Sequence, residues 1–373
     1  MKLIGRFILL SVPFLVFSCS RCSGPGIFPG GPEKKATTTI TVMTYNTENL
    51  FDGVDNGTEY RDYDPGEEQW STEDFHAKML AVAEVIGTAV PKGPDIVALQ
   101  EIENENVLET LRTEGVKNLG YRFSAIVEAP EAAVNTGLLS RFPVAAVRSH
   151  RLHVPESERL RNILEVEIVV DGRTLYLLNN HWKSKSGGAE ETEPLRIAAA
   201  ELAERRITEI MQEHLEAGMA APDIVLCGDL NENHNEAARV DGAYAVALVA
   251  ADGDAAGEDA AGADSPGLCI TGSPNAAAAG VEGAAAAGVP VLYSPWFEAP
   301  SGGSYLYRNS WETIDHFLLS GGLFDEAGFS YAGFTPLCSD FLLGEDGGPL
   351  RWNRTYMSGY SDHLPLLLEL TLH

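Results

Sequence analysis

The sequence predicts a layered α/β domain, and two observations carry this prediction. Short apolar runs rich in β-branched residues recur along the chain, and several are almost continuously apolar, as is typical of strands covered on both faces. Between them lie two segments with a helical pattern, 72–87 and 194–214. Strands interleaved with helices indicate packed layers of both. The predicted strands are residues 37–46, 95–101, 162–170, 174–180, 223–229, 313–320 and 364–370.

Each predicted helix has a start signal. Ser71 and Asp74 are spaced like a capping box before the first helix, and Gly87 is predicted to end it. Proline is favourable in the first turn of a helix, so the second helix is predicted to begin at Pro194. Its apolar stripe consists of Leu195, Ala199, Leu202, Ile207 and Ile210.

Residues 1–18 have the composition of an export signal, with two basic residues before an apolar core too short to span a bilayer. The sequence "VFSC" that follows resembles a bacterial lipoprotein signal, which predicts a lipid on Cys19; a simple signal peptide is the alternative. The Gly/Pro-rich residues 19–36 are predicted to form a flexible tether. The expected location is therefore periplasmic or at the cell surface, anchored in a membrane by the lipid, with no obligate protein partner evident.

Residues 37–373 are predicted to form one catalytic domain with an inserted surface loop at 250–289, a segment that is acidic, rich in Ala and Gly, and poor in large apolar side chains. The chain has 54 acidic and 26 basic residues, a net charge of −28. This balance argues against a broad basic surface for nucleic acid. It leaves room for an enzyme whose bound metal ions supply positive charge locally.

The cysteines do not have the spacing of a zinc site, because no C-x-x-C pair occurs. Cys227 lies in an apolar run and is predicted to be a small buried hydrophobic residue. Cys269 and Cys338 could form a disulfide, which the sequence does not decide.

Polar side chains stand at or beside the ends of the predicted strands. Strand ends hold functional groups rigidly while the adjoining loops leave them accessible. Carboxylate and amide oxygens suit Mg²⁺ or Mn²⁺, and histidines beside an aspartate can move protons near neutral pH. Each residue alone could be a turn, a cap or an exposed charge, but together they indicate metal-assisted hydrolysis of a phosphate ester. They are Asn46, Glu101, His181, Asp229, Asn231, Asp315, Asp362 and His363.

These segments resemble, in order, the endonuclease/exonuclease/phosphatase family. The resemblance implies a four-layer α/β/β/α sandwich, with two mixed β-sheets face to face and helices outside. It also implies a phosphoesterase that depends on Mg²⁺ or Mn²⁺, in a family that includes nucleases, inositol polyphosphate 5-phosphatases and bacterial neutral sphingomyelinases. The motifs are "MTYNTENLF", "PDIVALQEIEN", "LLNNHWKS", "CGDLNEN", "ETIDHFLLS" and "SDHLPL", spread from about residue 40 to 370.

The resemblance implies three metal-binding positions. Glu101 matches the principal metal-binding glutamate of the family, with Asn46 alongside it. Asp362 belongs to the Asp-His pair near the end of the chain and is expected to contribute to the same site.

The resemblance also implies the catalytic residues. Asp229 and Asn231 match residues that orient or activate the attacking water and contact the scissile phosphate or a second metal. His363 matches the family's terminal histidine, and Asp315 matches the aspartate that fixes its tautomer. His181 is expected to protonate the leaving oxygen or to bind the phosphate.

A small basic segment, "NNHWKSKSGG" at 179–188, is read as a phosphate-facing loop. Lys183 and Ser184 are the expected donors to non-bridging oxygens of the substrate. Trp182 is expected to be either a buried anchor or a stacking surface for the substrate. Lys185 is expected to be solvated or in contact with the substrate.

The favoured substrate is nucleic acid, which makes the protein an extracellular or surface nuclease. A phospholipid headgroup hydrolase of sphingomyelinase or phosphoinositide type is the alternative within the class, and it requires an apolar patch beside the site, for which residues 291–300 are a candidate. An alternative of another class is a non-catalytic surface binding protein on the same fold. Its mark would be the loss of metal-binding or proton-handling residues, all of which are present here.

Overall fold

The computed structural model describes residues 38–155, 159–251, 267–279, 290–299 and 302–373. The predicted signal and tether lie outside these residues, so the lipid on Cys19 and the export stay predictions. Within the described ranges, no helix is long and apolar enough to cross a membrane.

The strands alternate with few helices along the chain. The α-helices with both ends inside the described ranges are α1 (Thr72–Ala89), α2 (Glu105–Thr110), α3 (Ala189–Glu216) and α4 (Glu236–Val240). The strands are β1 (Thr38–Leu50), β2 (Ile96–Ile102), β3 (Phe123–Val127), β4 (Asn135–Ser140), β5 (Val144–His150), β6 (Ile163–Val170), β7 (Arg173–His181), β8 (Asp223–Asp229), β9 (Leu248–Ala250), β10 (Leu268–Thr271), β11 (Val291–Tyr293), β12 (Tyr305–Tyr307), β13 (Ser310–Glu312), β14 (Asp315–Leu319), β15 (Phe329–Pro336) and β16 (Leu366–Leu372).

Two mixed sheets form the centre of the domain. The first has the order β15-β16-β1-β2-β4-β3, and the second has the order β5-β6-β7-β8-β14-β11-β10-β9. In both sheets parallel and antiparallel neighbours occur together, since β1–β2 and β7–β8 are parallel whereas β1–β16 and β8–β14 are antiparallel. The strands β12 and β13 form a separate hairpin.

The sheets lie face to face, and helices cover their outer faces. On β8, Val225 and Cys227 belong to the core between the sheets, whereas Ile224 and Leu226 pack with the apolar side of α3. On β1, Met43 packs with α1 outside the first sheet. This alternation is the period of two expected of a strand covered on both faces. The predicted four-layer sandwich is confirmed.

The first predicted helix is close to the observed one. The Ser71 hydroxyl oxygen accepts a hydrogen bond from the Asp74 amide at 3.2 Å, as a cap should. The helix does not end at Gly87 but continues to Ala89.

The predicted start of the second helix is wrong by five residues. It begins at Ala189, after Gly188 in a left-handed conformation with φ 116°. Pro194 lies in the second turn, where it removes one helical hydrogen bond. The first turn is stabilised by side chains instead, since Arg196 Nη2 donates to Ala189 O at 2.7 Å and Thr192 Oγ1 donates to Gly188 O at 2.7 Å.

Part of the predicted insertion 250–289 is not a surface loop. Leu268–Thr271 forms β10, which pairs with β9 and β11, and Leu268 and Ile270 are fully buried. The composition of the segment hid these four residues because Ala and Gly dominate on both sides. Cys227 is buried as predicted, and Cys269 and Cys338 form no disulfide.

Glu165 on β6 is a buried acid that should contribute to stability in a pH-dependent way. Its carboxylate accepts hydrogen bonds from Arg206 Nε at 2.7 Å and Arg148 Nη1 at 2.8 Å, and His150 Nε2 lies 2.6 Å away. Burial alone would raise the pKa of Glu165, but hydrogen bonds from His150 and Arg206 lower it from 4.5 to about 2.

Because the folded pKa of Glu165 lies below its unfolded value, the stabilisation is present above the unfolded pKa and is lost as the pH falls toward the folded one. We expect Glu165→Gln to lower the free energy of unfolding most near pH ~6 and progressively less toward pH ~2. Urea denaturation of both proteins across this range measures the difference. A difference that does not change with pH would contradict the assignment.

Candidate active site

A cleft of about 790 Å³ opens where the ends of strands from both sheets meet. Across β7, β8 and β14 the register places His181 opposite Asp229 and Asp229 opposite Asp315. Gly228 permits this close approach of β7 and β8, because its φ is 121° and a Cβ there would overlap Asn180 O. Most of the predicted site residues line the cleft, namely Glu101, His181, Ser184, Asp229, Asn231, Asp362 and His363.

His363 and Asp315 form a buried pair at the cleft. His363 Nδ1 lies 2.7 Å from Asp315 Oδ2, and because a carboxylate accepts, Nδ1 carries the proton. His363 Nε2 therefore faces the cleft, 3.9 Å from Asp229 Oδ2 and 3.9 Å from Asp362 Oδ1. Burial alone would lower the pKa of His363, but the charge and hydrogen bond of Asp315 raise it well above the ordinary value. The predicted link between Asp315 and His363 is thus present.

His181 lies beside two carboxylates in the same site. Its Nε2 lies 3.5 Å from Asp229 Oδ2 and 3.6 Å from Glu101 Oε1. Burial and the positive charge of Arg161 lower the pKa of His181 well below its ordinary value. Of the two roles predicted for His181, hydrogen bonding to the phosphate therefore fits better than protonation of the leaving oxygen.

Asp229 and Asn231 lie together at the end of β8. The Asn231 amide donates to Asp229 Oδ1 at 2.9 Å, in a turn where Asn231 has φ 51°. Burial raises the pKa of Asp229, while the charge of His363 acts in the opposite direction. Asp229 is thus a buried carboxylate oriented by a backbone donor and directed at the cleft.

Glu101 reaches the cleft through an irregular backbone. It has φ 62°, and the register of β2 against β4 shifts between Gln100 and Ile102. Its Oε2 accepts a hydrogen bond from the Asn49 amide at 2.7 Å, and its Oε1 accepts one from Asn46 Nδ2 at 3.2 Å. Left-handed backbone at a non-glycine residue costs free energy and is common at functional sites.

Asn46 lies beside Glu101 as predicted, and its side chain contacts both carboxylates at this end of the cleft. Its Nδ2 donates to both Glu101 and Asp229, and its Oδ1 accepts a hydrogen bond from the Glu48 amide at 3.0 Å. These contacts orient the two carboxylates, and the metal-binding role of Asn46 stays a prediction.

In the basic segment, Lys183 differs from the prediction, whereas Ser184, Lys185 and Trp182 lie within it. Lys183 does not line the cleft, because its ammonium donates to the carbonyl oxygens of Ser184 and Ser186, each at 3.0 Å. Lys185 does line the cleft, and its ammonium lies 2.7 Å from Glu236 Oε1. Trp182 is a buried anchor, whose Nε1 donates to the Asn180 side chain.

A set of buried contacts that positions the turn beside Glu101 is not apparent from the sequence. Lys78 on α1 is fully buried and donates to the carbonyl oxygen of Glu48, and Arg351 donates to the Glu48 carboxylate. Burial lowers the pKa of Lys78 to about 8, although the nearby carboxylates oppose the shift. Glu48 and Asn49 both have left-handed backbone, with φ 53° and 61°, so these contacts fix the turn that aims the Asn49 amide at Glu101.

The donor set fits a hard divalent cation. Glu101, Asp229 and Asp362 offer carboxylate oxygens to one cleft, and Mg²⁺ and Mn²⁺ prefer oxygen ligands. Asp229, Asp315 and His363 also have ligand atoms within 4.8 Å of one another. That second grouping fits less well, because Asp315 is already hydrogen-bonded to His363.

The chain is similar to known proteins in sequence and in fold. Residues 41–254 match the model of the Endonuclease/Exonuclease/phosphatase family. No curated protein gives a match. Among solved structures, an endonuclease/exonuclease/phosphatase family protein from Bacteroides thetaiotaomicron is 16% identical, with a TM-score of 0.50 and coverage of 91% of this chain and 100% of that chain.

A second similar structure is ANGEL2, a 2′,3′-cyclic phosphatase, which is 17% identical with a TM-score of 0.52 and coverage of 90% of this chain and 96% of that chain. ANGEL2 in complex with adenosine-2′,3′-vanadate gives the same TM-score at 16% identity. At sequence identities this low, similarity to these structures shows only that the fold is shared. The family model covers more than half of the sequence, and the chain belongs to the endonuclease/exonuclease/phosphatase family.

Proposed function

We propose that the protein is a divalent-metal-dependent phosphodiesterase that acts on nucleotide substrates, as an extracellular or surface nuclease. The observation that carries the proposal is the convergence of the His363–Asp315 pair, Asp229 and Glu101 on one cleft. All three activities in the family name cleave phosphate esters. The similar fold of ANGEL2, a 2′,3′-cyclic phosphatase, agrees with a nucleotide substrate.

The proposed mechanism assigns a task to each side chain. Asp229 orients the attacking water and accepts its proton, since its carboxylate is held by the Asn231 amide and faces the cleft. His363, kept protonated by Asp315, donates from Nε2 to a phosphate oxygen. His181 adds a neutral hydrogen bond. When bound by Glu101 and the nearby carboxylates, a divalent cation supplies charge neutralisation of the phosphate.

The other candidate functions have weaker support. In the described part of residues 291–300, where a phospholipid hydrolase is expected to have an apolar patch, Phe297 is the single exposed large apolar side chain. Tyr293 and Trp296 are buried. Trp296 Nε1 donates to Asp315 O at 2.8 Å and so holds the backbone of a site residue. A non-catalytic binding protein would not require the buried His363–Asp315 pair.

Hydrolysis of bis(p-nitrophenyl) phosphate by the purified protein, with Mg²⁺ or Mn²⁺, tests the proposal. We expect release of p-nitrophenol that stops when EDTA removes the metal. Without the cation, the negative carboxylates of the cleft would repel the negative phosphate. p-Nitrophenyl phosphate, a monoester, serves as the comparison and is expected to react more slowly. No hydrolysis of the diester with either metal would overturn the proposal.

A further inference from the structure

The wall of the cleft carries an excess of negative charge. Six carboxylate side chains line it, against two from Lys or Arg. Both of these basic residues are already paired with a glutamate of the same wall. Lys185 Nζ lies 2.7 Å from Glu236 Oε1, and Arg239 Nη2 lies 3.0 Å from Glu312 Oε1.

Four basic residues just outside the wall have contacts of their own. Arg161 Nη2 donates to Trp182 O at 2.6 Å, Lys183 donates to carbonyl oxygens of its own loop, and Arg351 is held by Glu48. Arg308 lies over the ring of Tyr307, with 5.1 Å between the guanidinium carbon and the ring centroid. The domain segments outside the described ranges cannot add cations, since residues 156–158, 252–266, 280–289 and 300–301 contain no Lys or Arg.

This arrangement is unfavourable for a polyanion. Proteins bind the successive phosphates of a nucleic acid by neutralising them with Lys and Arg. A flanking phosphate placed against the cleft wall would meet a carboxylate, or would have to separate Lys185 or Arg239 from its glutamate. Breaking such a partly buried pair leaves a carboxylate without its partner, which costs free energy. Only the scissile phosphate has partners assigned to it, namely His363, His181 and the cation.

The rest of the wall suits uncharged groups. Ser184, Ser186 and Asn231 offer neutral hydrogen-bonding side chains, and Tyr305 and Tyr307 offer aromatic rings. The Tyr305 ring lies against the imidazole of His363, with 4.8 Å between centroids, so a sugar or base beside the scissile phosphate would meet it. The cleft volume of about 790 Å³ is that of a pocket for a small organic ligand.

We infer that the cleft selects small phosphodiesters with a single phosphate and uncharged substituents, such as a dinucleoside monophosphate, over polynucleotides. The inference rests on the proposed function and names its substrate class. The ion pairs Lys185–Glu236 and Arg239–Glu312 act as specificity determinants, because they withhold the two cations that flanking phosphates would need.

The test compares thymidylyl-thymidine with a single-stranded oligothymidylate of about twelve nucleotides and with plasmid DNA, between about 50 and 200 mM salt. We expect kcat/KM per phosphodiester bond to be highest for the dinucleoside. We also expect the logarithm of KM for the oligonucleotide to change with log salt by less than the ~0.7 of one phosphate contact. A preference for the longer DNA, with a steep salt dependence, would overturn the inference.

Glu312→Gln removes the partner of Arg239 and provides a direct test of the ion pairs. We expect it to raise the ratio of kcat/KM for the oligonucleotide to that for the dinucleoside several-fold, and to add up to ~0.7 to the salt slope. Glu326→Gln is the matched control, since it removes an exposed charge next to the start of β15, at the far end of the first sheet. An unchanged ratio in Glu312→Gln would overturn the role of the pairs. Loss of hydrolysis of every substrate by the wild type would instead contradict the proposed function.

Discussion

The His363→Ala variant is expected to lose ~10²–10³ in kcat, the range for removal of one preorganised hydrogen-bond donor that stabilises the transition state. Its imidazole is buried, paired with Asp315, and directed at the cleft through Nε2. Initial rates on bis(p-nitrophenyl) phosphate at saturating metal measure the loss. His153→Ala provides the control, because His153 is an exposed histidine outside the cleft.

Asp315→Asn tests the contribution of the His363–Asp315 pair to kcat by changing the aspartate instead of the histidine. An asparagine lacks the negative charge that keeps His363 protonated; if its amide donates to Nδ1, the imidazole is neutral and keeps its proton on Nε2, so a charged donor becomes a neutral one. We therefore expect a loss in kcat smaller than that of His363→Ala, and a double variant no slower than the slower single one. Losses that multiply in the double variant would show that the two residues act independently.

Glu101→Gln is expected to weaken metal binding most among the carboxylate substitutions. The glutamate is aimed into the cleft by two hydrogen bonds, from the Asn49 amide and from Asn46. We expect the dissociation constant for Mn²⁺ to rise by more than the ~10–100-fold found for residues that merely orient metal ligands. Isothermal titration calorimetry measures the affinity without any substrate, and thermal denaturation checks that the variant is folded.

Asp315→Asn is the matched comparison for metal binding. Since Asp315 is occupied by His363, we expect its variant to keep the Mn²⁺ affinity within a few-fold of the wild type. The reverse ranking, with Asp315 essential for affinity and Glu101 dispensable, would place the metal in the group formed by Asp229, Asp315 and His363.

The local pattern of apolar and polar residues was sufficient to predict most of the strands. The strand predicted at 223–229 coincides with β8, because a nearly continuous apolar run flanked by turn residues has few alternatives. The polar residues after the strands also lie together as expected, since parallel neighbours end at the same edge of a sheet. The average composition of a long segment can hide a short strand, as it does for Leu268–Thr271.

The support of the site could not be predicted, because it depends on contacts between distant parts of the chain. Lys78 on a helix, Glu48 in a strand and Arg351 near the end of the sequence meet only in the folded protein. Nothing in the local sequence of a lysine distinguishes one that is buried against a carbonyl oxygen from one in solvent. The same limit applies to Lys183, whose ammonium folds back onto its own loop.

The pairing of β1 with β16 has a consequence for the order of events in folding. Thr38 lies opposite Leu372, so the first described strand finds its antiparallel partner only when the last one has been synthesised. A nascent chain that stops before Asp362 lacks both β16, the strand between β15 and β1, and the Asp362–His363 turn. Completion of the first sheet and completion of the cleft therefore depend on the same last segment of the chain.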